Sequence, residues 1–331
     1  MKLAYLVYKI VRPTKKVFKQ YLDLPPELRM MIIDEMLTKT RCRFSRCSKM
    51  VNKQVRESKK YIAGLRISIY ENEAVIYVFH KTEMYRKKGY RLRFEKLLGK
   101  NYVKYEDLRL KHFWHTELDD SIGIIQHAVQ HFKDLLEMYQ NKIKVLSMNM
   151  SLISSSNIDL EIKNLRNLEE LAIYDKTDVQ QLLAKTRKPL KMLQVGGGNR
   201  ENLNECEQIY YVQNELESTD TTLNKEQFLR LSTPTVRINM GSLTEKDICN
   251  IIRSWQDGTI GKNVTLFEWH ITNSIFDVGV IFRFFGAEFD EDLDKYHEIK
   301  HNKESGSSAK LFYCEYVSNY RILSFKPNVG K

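Results

Sequence analysis

The sequence predicts a mixed α/β (α+β) protein: a small N-terminal helical unit followed by a longer domain of irregularly repeated strands and helices. Three observations carry that expectation. Residues 22–55 place apolar side chains at three- and four-residue steps, the period of helices with one buried face. After residue 61 the period shifts to two, which marks strands. From residue 143 onward short strand-like runs return roughly every 20–30 residues, with helical or polar stretches between them.

The chain has 331 residues, six prolines and a hydrophobic fraction of 42%. That length fits about two domains of ~100–200 residues each, and the composition is that of a globular protein. The net charge of +11 favours acidic partners. The charge is concentrated: residues 39–66 hold ten Lys or Arg against Glu57 alone. A second basic cluster comprises Lys81, Arg86, Lys87, Lys88, Arg91 and Arg93, whereas residues 288–294 hold five acids. The five cysteines, Cys42, Cys47, Cys206, Cys249 and Cys314, are scattered without a Cys-x-x-Cys pair. This argues against a disulfide framework and a zinc site, and fits reduced thiols. Residues 3–8 are apolar, but Lys9 and Arg12 interrupt them, so no signal peptide is expected. No run approaches the ~18 apolar residues of a membrane span. The expected location is cytoplasmic, nuclear or both, with no membrane partner.

The first helix is announced by Leu24-Pro25-Pro26-Glu27-Leu28. Asp23 is expected to cap it, the prolines suit a first turn whose amides lack partners, and Glu27 sits at the positive end of the dipole. Leu24, Leu28, Met31, Ile32 and Met36 form one apolar stripe, and Ile33 with Leu37 adds a second edge. A short helix apolar on two sides must touch two things, its own bundle and a partner. Residues 38–41 are polar and break the pattern. Phe44, Cys47, Val51 and Val55 then resume helical spacing, opposite the basic face of Arg43, Arg46, Lys49, Lys53 and Arg56. Two such helices are marginal alone and should lean on a neighbour or a partner.

Leu24-Pro25-Pro26-Glu27-Leu28, then Ile32-Ile33, then Phe44-Ser45-Arg46-Cys47-Ser48-Lys49 resembles an F-box, in particular the shortened F-box of the large nematode families. The resemblance implies docking on the Skp-type adaptor of a cullin–RING ubiquitin ligase. Carried over by position, it assigns Leu24, Pro25, Leu28 and Ile32 to the adaptor contact or its support. It gives Phe44, Cys47, Met50 and Val51 to the bundle and the second part of the contact.

Beyond this unit, residues 65–69 and 75–79 alternate and read as strands joined by a turn at 70–74. Ile122, Ile125, Val129, Phe132, Leu136 and Tyr139 form a helical seam over 120–139, with Asp119, Asp120 or Ser121 available as a cap. Residues 143–148, 168–173, 190–195, 209–212, 235–238 and 265–269 are strand-like. Between the last two, Ser242-Leu243-Thr244-Glu245 fits a capping box ahead of a helix striped by Ile248, Ile251, Ile252 and Trp255. Each strand would pair with the next and each helix would cover one face, giving a leucine-rich-repeat-like domain; a single non-repeating α/β domain is the alternative. The segment from Leu243 through Trp255 and Gly258 to the strand at Leu266 is similar to the nematode F-box-associated domain of the second type. That likeness loosely covers 113–294 and implies a domain that selects the target. The expected organisation is a helical F-box-like unit over 20–58, a strand-rich connecting region over 62–112 and a target-binding domain over 113–331.

Other constellations fail on their own chemistry. Asp290-Glu291-Asp292-Leu293-Asp294 opens like a calcium loop, but Lys295 and His301 stand where Gly and Glu are required. Gly196-Gly197-Gly198 follows a strand, but Glu201 occupies the third glycine place of a dinucleotide cradle. His127 and His131 share a helical face near His112 and His115, without the glutamate of a metalloprotease motif. Cys249 lies among apolar helix residues and reads as inert. No catalytic residue, metal or cofactor is therefore expected. The function expected is substrate recognition in an SCF-like ubiquitin ligase, a Skp-type adaptor at one end and an unknown target protein at the other, acting through proximity and not as an enzyme. The alternative is a nucleic-acid-binding protein that uses clusters such as Tyr85-Arg86-Lys87-Lys88-Gly89-Tyr90-Arg91. Nucleic acid is the less favoured partner because no recognised binding fingerprint accompanies them.

Overall fold

A computed structural model describes residues 21–36, 44, 47–57, 62–79, 89–108, 113–139, 142–150, 165–174, 179–196, 203–219, 223–241, 243–260, 263–272, 275–289, 296–300, 302, 307–316 and 320–328. The linker 38–43 with Cys42, Ser45-Arg46, the basic residues 81–88, His112, Gly197-Gly198, Ser242 and the acidic run 290–295 lie outside these residues.

In chain order the elements begin with helices α1 (Pro26–Glu35) and α2 (Lys49–Glu57) and strands β1 (Gly64–Ile69), β2 (Glu73–Phe79), β3 (Gly89–Leu97), β4 (Lys100–Asp107) and β5 (Phe113–Glu117). There follow α3 (Ile124–Tyr139), β6 (Val145–Asn149), β7 (Glu170–Ile173), α4 (Val179–Leu183), β8 (Met192–Val195) and β9 (Glu215–Ser218). The chain continues through α5 (Lys225–Leu229), β10 (Thr235–Asn239), α6 (Glu245–Gln256), β11 (Leu266–Ile271), α7 (Val278–Phe284), β12 (Tyr296–Lys300), β13 (Ser308–Tyr316) and β14 (Tyr320–Pro327). Two 3₁₀ turns, Leu203–Glu205 and Glu207–Tyr211, lie between β8 and β9.

Among the described residues 14 strands form one sheet, in the order β12-β13-β14-β11-β10-β9-β8-β7-β6-β1-β2-β3-β4-β5. From β6 to β11 each strand pairs in parallel with the next in the chain, and β1 extends this array by pairing in parallel with β6. The antiparallel strands β2–β5 close one flank and β12–β14 the other. The segment 62–112 is thus joined to the parallel array by the β1–β6 ladder itself.

One face of the sheet makes the core. Pairing aligns Leu171, Leu193, Leu216, Val236, Phe267 and Phe325 in a single buried apolar row. Helix α3 lays Phe132, Leu136 and Tyr139 of the expected seam against β1–β3 together with Ala128 and Leu135, whereas Ile125 and Val129 are half-buried and Ile122 lies exposed ahead of the helix. Helix α6 buries Ile248, Ile251, Ile252 and Trp255, and the Trp255 ring meets Phe325 edge-on at 5.0 Å.

Several local expectations are corrected. Residues 209–212, read as a strand, fall in the 3₁₀ turn Glu207–Tyr211 and its cap, with the Tyr210 hydroxyl donating to the Asn204 carbonyl at 2.8 Å. The strand of that unit is β9, a few residues later. The capping box of α6 is set two residues beyond the expected one. Thr244 Oγ1 accepts from the Asp247 amide at 3.2 Å and the Asp247 carboxylate accepts from the Thr244 amide at 3.0 Å. Helix α3 begins at Ile124, after the acidic residues expected to cap it. Asp119 instead folds the preceding turn by accepting from Ser121, and Asp120 accepts from the Asn101 amide at 2.7 Å.

Candidate docking surface

The surface is built on α1 and α2. Pro25, extended at φ −53° and ψ 147°, stands at the N-cap of α1 without a side-chain cap, so Asp23 does not cap this helix. Pro26 opens the first turn, where the missing amide costs nothing. The helix ends at Met36, whose extended backbone still donates its N–H to the carbonyls of Ile32 and Ile33. Ser48 caps α2, its hydroxyl accepting from the Val51 amide at 3.1 Å.

The interior of the pair is sealed by Tyr21, Ile32, Ile33, Met36, Phe44, Val51 and Val55. The Tyr21 ring meets Phe44 edge-on at 4.8 Å, and its hydroxyl donates to buried Gln54 Oε1 at 2.9 Å. Burial pushes the Tyr21 phenol up to about 12, against a small opposing effect of the Arg29 charge. This bond joins the segment before α1 to α2 across the middle of the bundle.

The outside of the same pair is apolar too. Leu28 is 37% exposed, Met31 52% and Met50 41%, and Leu22 and Pro25 are exposed beside them. Leu28 and Met31 lie three residues apart on one outward edge of α1, and Leu24, ahead of the helix, packs against the interior. Arg29 Nη1 donates to Met50 Sδ at 3.3 Å, linking that edge to the outer side of α2.

The residues singled out from sequence therefore separate by depth. Ile32, Phe44 and Val51 are interior, Leu24 is half-buried, and Pro25, Leu28, Cys47 and Met50 are exposed. Three residues were missed. Met31 belongs with the exposed set. Tyr21 and Gln54 form the internal bond, and its signal was Gln54 itself, a polar residue between Val51 and Val55 on an apolar stripe. The pair rests on the rest of the molecule through Met138 of α3, which packs against both the helical core and the sheet core.

Elsewhere the chemistry is structural. The His127 ring bonds the Asp119 carbonyl at 2.8 Å, and His131 lies 6.0 Å from the Phe94 ring. No group of three metal-binding side chains occurs among the described residues. Burial pushes the Cys249 thiol up to about 11. In the basic–aromatic cluster, Tyr90 is buried on Tyr105, Arg91 is ion-paired with Glu106, and Arg93 lies 3.4 Å from Glu73. No helix among the described residues is long and apolar enough to cross a membrane.

Residues 21–63 match the F-box domain. The match spans both helices, the outward apolar edge and the Tyr21–Gln54 bond, and it ends at Ala63, just before β1. No curated protein and no solved structure matches the chain. F-box domains generally bind Skp-type adaptors of cullin–RING ligases, and proteins that carry them are generally adaptors and not enzymes.

Proposed function

We propose that this chain is a substrate-recognition subunit of an SCF-like ubiquitin ligase. The observation that carries the reading is an uncovered apolar edge on an F-box: Leu28, Met31 and Met50 exposed outside a bundle whose interior is already full. Soluble domains place large side chains outward in a group where another chain covers them. In this reading Leu24, Pro25, Leu28, Cys47 and Met50 meet the Skp-type adaptor together with Met31. Ile32, Phe44 and Val51 hold the two helices in the geometry that presents them.

The sheet domain holds the target. Its successive parallel strands support the reading of an irregular leucine-rich-repeat-like domain, and the residues around α6 keep their likeness to the F-box-associated domain of the second type found in nematodes. The protein's contribution is proximity, which raises the local concentration of a target lysine near the conjugating enzyme. The nucleic-acid alternative draws no support from the described residues of the basic–aromatic cluster, because Arg91 and Arg93 are engaged by carboxylates and Tyr90 is buried.

The test is capture of a purified Skp-type adaptor by the full chain. Wild type should bind, and Leu24→Ala with Pro25→Ala should abolish binding while the sheet domain stays folded by circular dichroism. A wild-type chain that binds no such adaptor overturns the proposal.

A further inference from the structure

The helical pair holds one charged side chain whose place its own packing does not explain. Helix α1 turns Ile32, Ile33 and Met36 inward and leaves Leu28 and Met31 outside. Arg29 stands three residues before Ile32 and four before Ile33, on the side of α1 that faces α2. Its side chain is half-buried, and its Nε is shut off from solvent without a hydrogen-bond partner. The guanidinium emerges beside exposed Met50, where Nη1 donates to Sδ at 3.3 Å. A thioether is a weak acceptor.

The helical pair supplies no counter-charge. Among the described residues Arg29 makes no ion pair, and the side chain's only hydrogen bond is the one to sulfur. The Tyr21 phenol registers the positive charge, but it stays protonated to about 12 and so offers no anion at ordinary pH. The cations of α2 do not help: Lys49 is exposed next to Met50, and Lys53 lies 4.0 Å from Glu57.

A guanidinium stays charged at every ordinary pH. A buried N–H without an acceptor destabilises the fold. Methionine, unbranched and apolar, fills such a gap between helices without that cost. Arg29 is also set in advance, its stem held between the helices and its head at Met50. Its remaining N–H groups need little further ordering to meet a ligand.

We infer that Arg29 takes an Asp or Glu carboxylate of the Skp-type adaptor, seated beside Met50 where α1 and α2 meet. This rests on the reading of the helical pair as the adaptor-binding surface. Leu28, Met31 and Met50 supply the apolar burial; Arg29 sets the register and chooses among adaptors. Covering Met50 strips water from the guanidinium, and an adaptor that brings an apolar group there leaves the charge unanswered. An adaptor that brings a carboxylate meets the planar fork with parallel N–H donors. The difference between the two is selectivity.

The test is a double-mutant cycle by titration calorimetry, with the full chain and a purified Skp-type adaptor of known sequence. Arg29→Met should weaken binding about tenfold or more, the effect of losing one charge-assisted hydrogen bond. Arg29→Lys keeps the charge without the fork and should fall between the two. Urea stability of Arg29→Met should equal or exceed that of wild type, because the change removes no described ion pair and does remove an unsatisfied N–H. Lys96→Met takes the same charge from the exposed end of β3 and should bind like wild type. Exposed Asp and Glu residues of the adaptor are then changed singly to Asn and Gln. One of them should weaken wild-type binding about tenfold and leave Arg29→Met nearly unaffected. Wild-type affinity in Arg29→Met, an equal loss in Lys96→Met, or an adaptor with no carboxylate coupled to Arg29 overturns the inference and leaves the F-box reading standing. Affinity lost in step with stability assigns Arg29 to packing alone and overturns it as well. A wild-type chain that binds no adaptor removes the F-box reading itself, and this inference with it.

Discussion

Replacing Leu28 and Met31 together by serine tests whether the outward edge of α1 is a docking element. Fully burying a Leu or Met side chain is worth about 1.5–3 kcal/mol. Leu28 has 37% of its surface left to bury and Met31 52%, so covering them contributes about 0.6–1.1 and 0.8–1.6 kcal/mol on that scale. The sum is about 1.4–2.7 kcal/mol, a loss of about tenfold to a hundredfold in adaptor affinity at ~1.4 kcal/mol per decade. Stability should move by no more than about 0.5 kcal/mol, because neither residue is part of the sealed interior. Ile32→Ala is the contrasting change: it empties a fully buried site and should cost about 2–5 kcal/mol of stability in the helical unit. The assay is titration calorimetry of the full chain with a purified Skp-type adaptor, paired with urea unfolding. Unchanged affinity in Leu28→Ser/Met31→Ser, with wild-type unfolding, refutes the assignment of this edge as the contact.

Three further outcomes are expected from the same geometry. Tyr21→Phe deprives buried Gln54 of its donor and should destabilise the helical pair by about 1–3 kcal/mol, read as faster hydrogen exchange in α1 and α2. The Tyr21 phenol is held protonated to about 12 against an ordinary 10.0. The wild-type pair is therefore at full stability below pH 10 and loses it as pH rises toward 12, a decline that Tyr21→Phe removes. Thr244→Ala breaks the capping box of α6 and should lower urea stability by about 1 kcal/mol, with Thr244→Ser restoring it. Iodoacetamide at pH 8 should label exposed Cys47 and spare buried Cys249 until denaturant is added, as peptide mass analysis would show.

Much of the fold was legible because period and burial agree. β1 and β2 alternate because one side of each faces α3, and α3 itself shows its seam at three- and four-residue steps. The unit at 209–218 was misread for the converse reason. Ile209-Tyr210-Tyr211-Val212 is a short apolar run, and such a run reads equally as a strand or a buried turn. The true strand, Glu-Leu-Glu-Ser, gives every second position to the polar face and so has little apolar signal of its own. Strand order was partly legible, since short connections make chain neighbours into sheet neighbours. The pairing of β1 with β6 across four antiparallel strands and a helix left no mark in local sequence. In the docking surface, the apolar stripe was readable, but depth was not. Leu28 and Ile32 look alike in sequence, and only the position of α2 decides which faces inward.

Within the sheet the β12–β13 hairpin pairs with the array through β14, and outside it Gln256 of α6 donates to the Lys300 carbonyl at 3.1 Å. A polypeptide cut before Tyr320 would leave that hairpin without its link in the sheet and the β11 edge that pairs with β14 bare. Until β14 is in place the molecule presents the kind of open ladder that invites aggregation. A protein proposed to mark others for disposal would, when truncated, itself be a candidate for it.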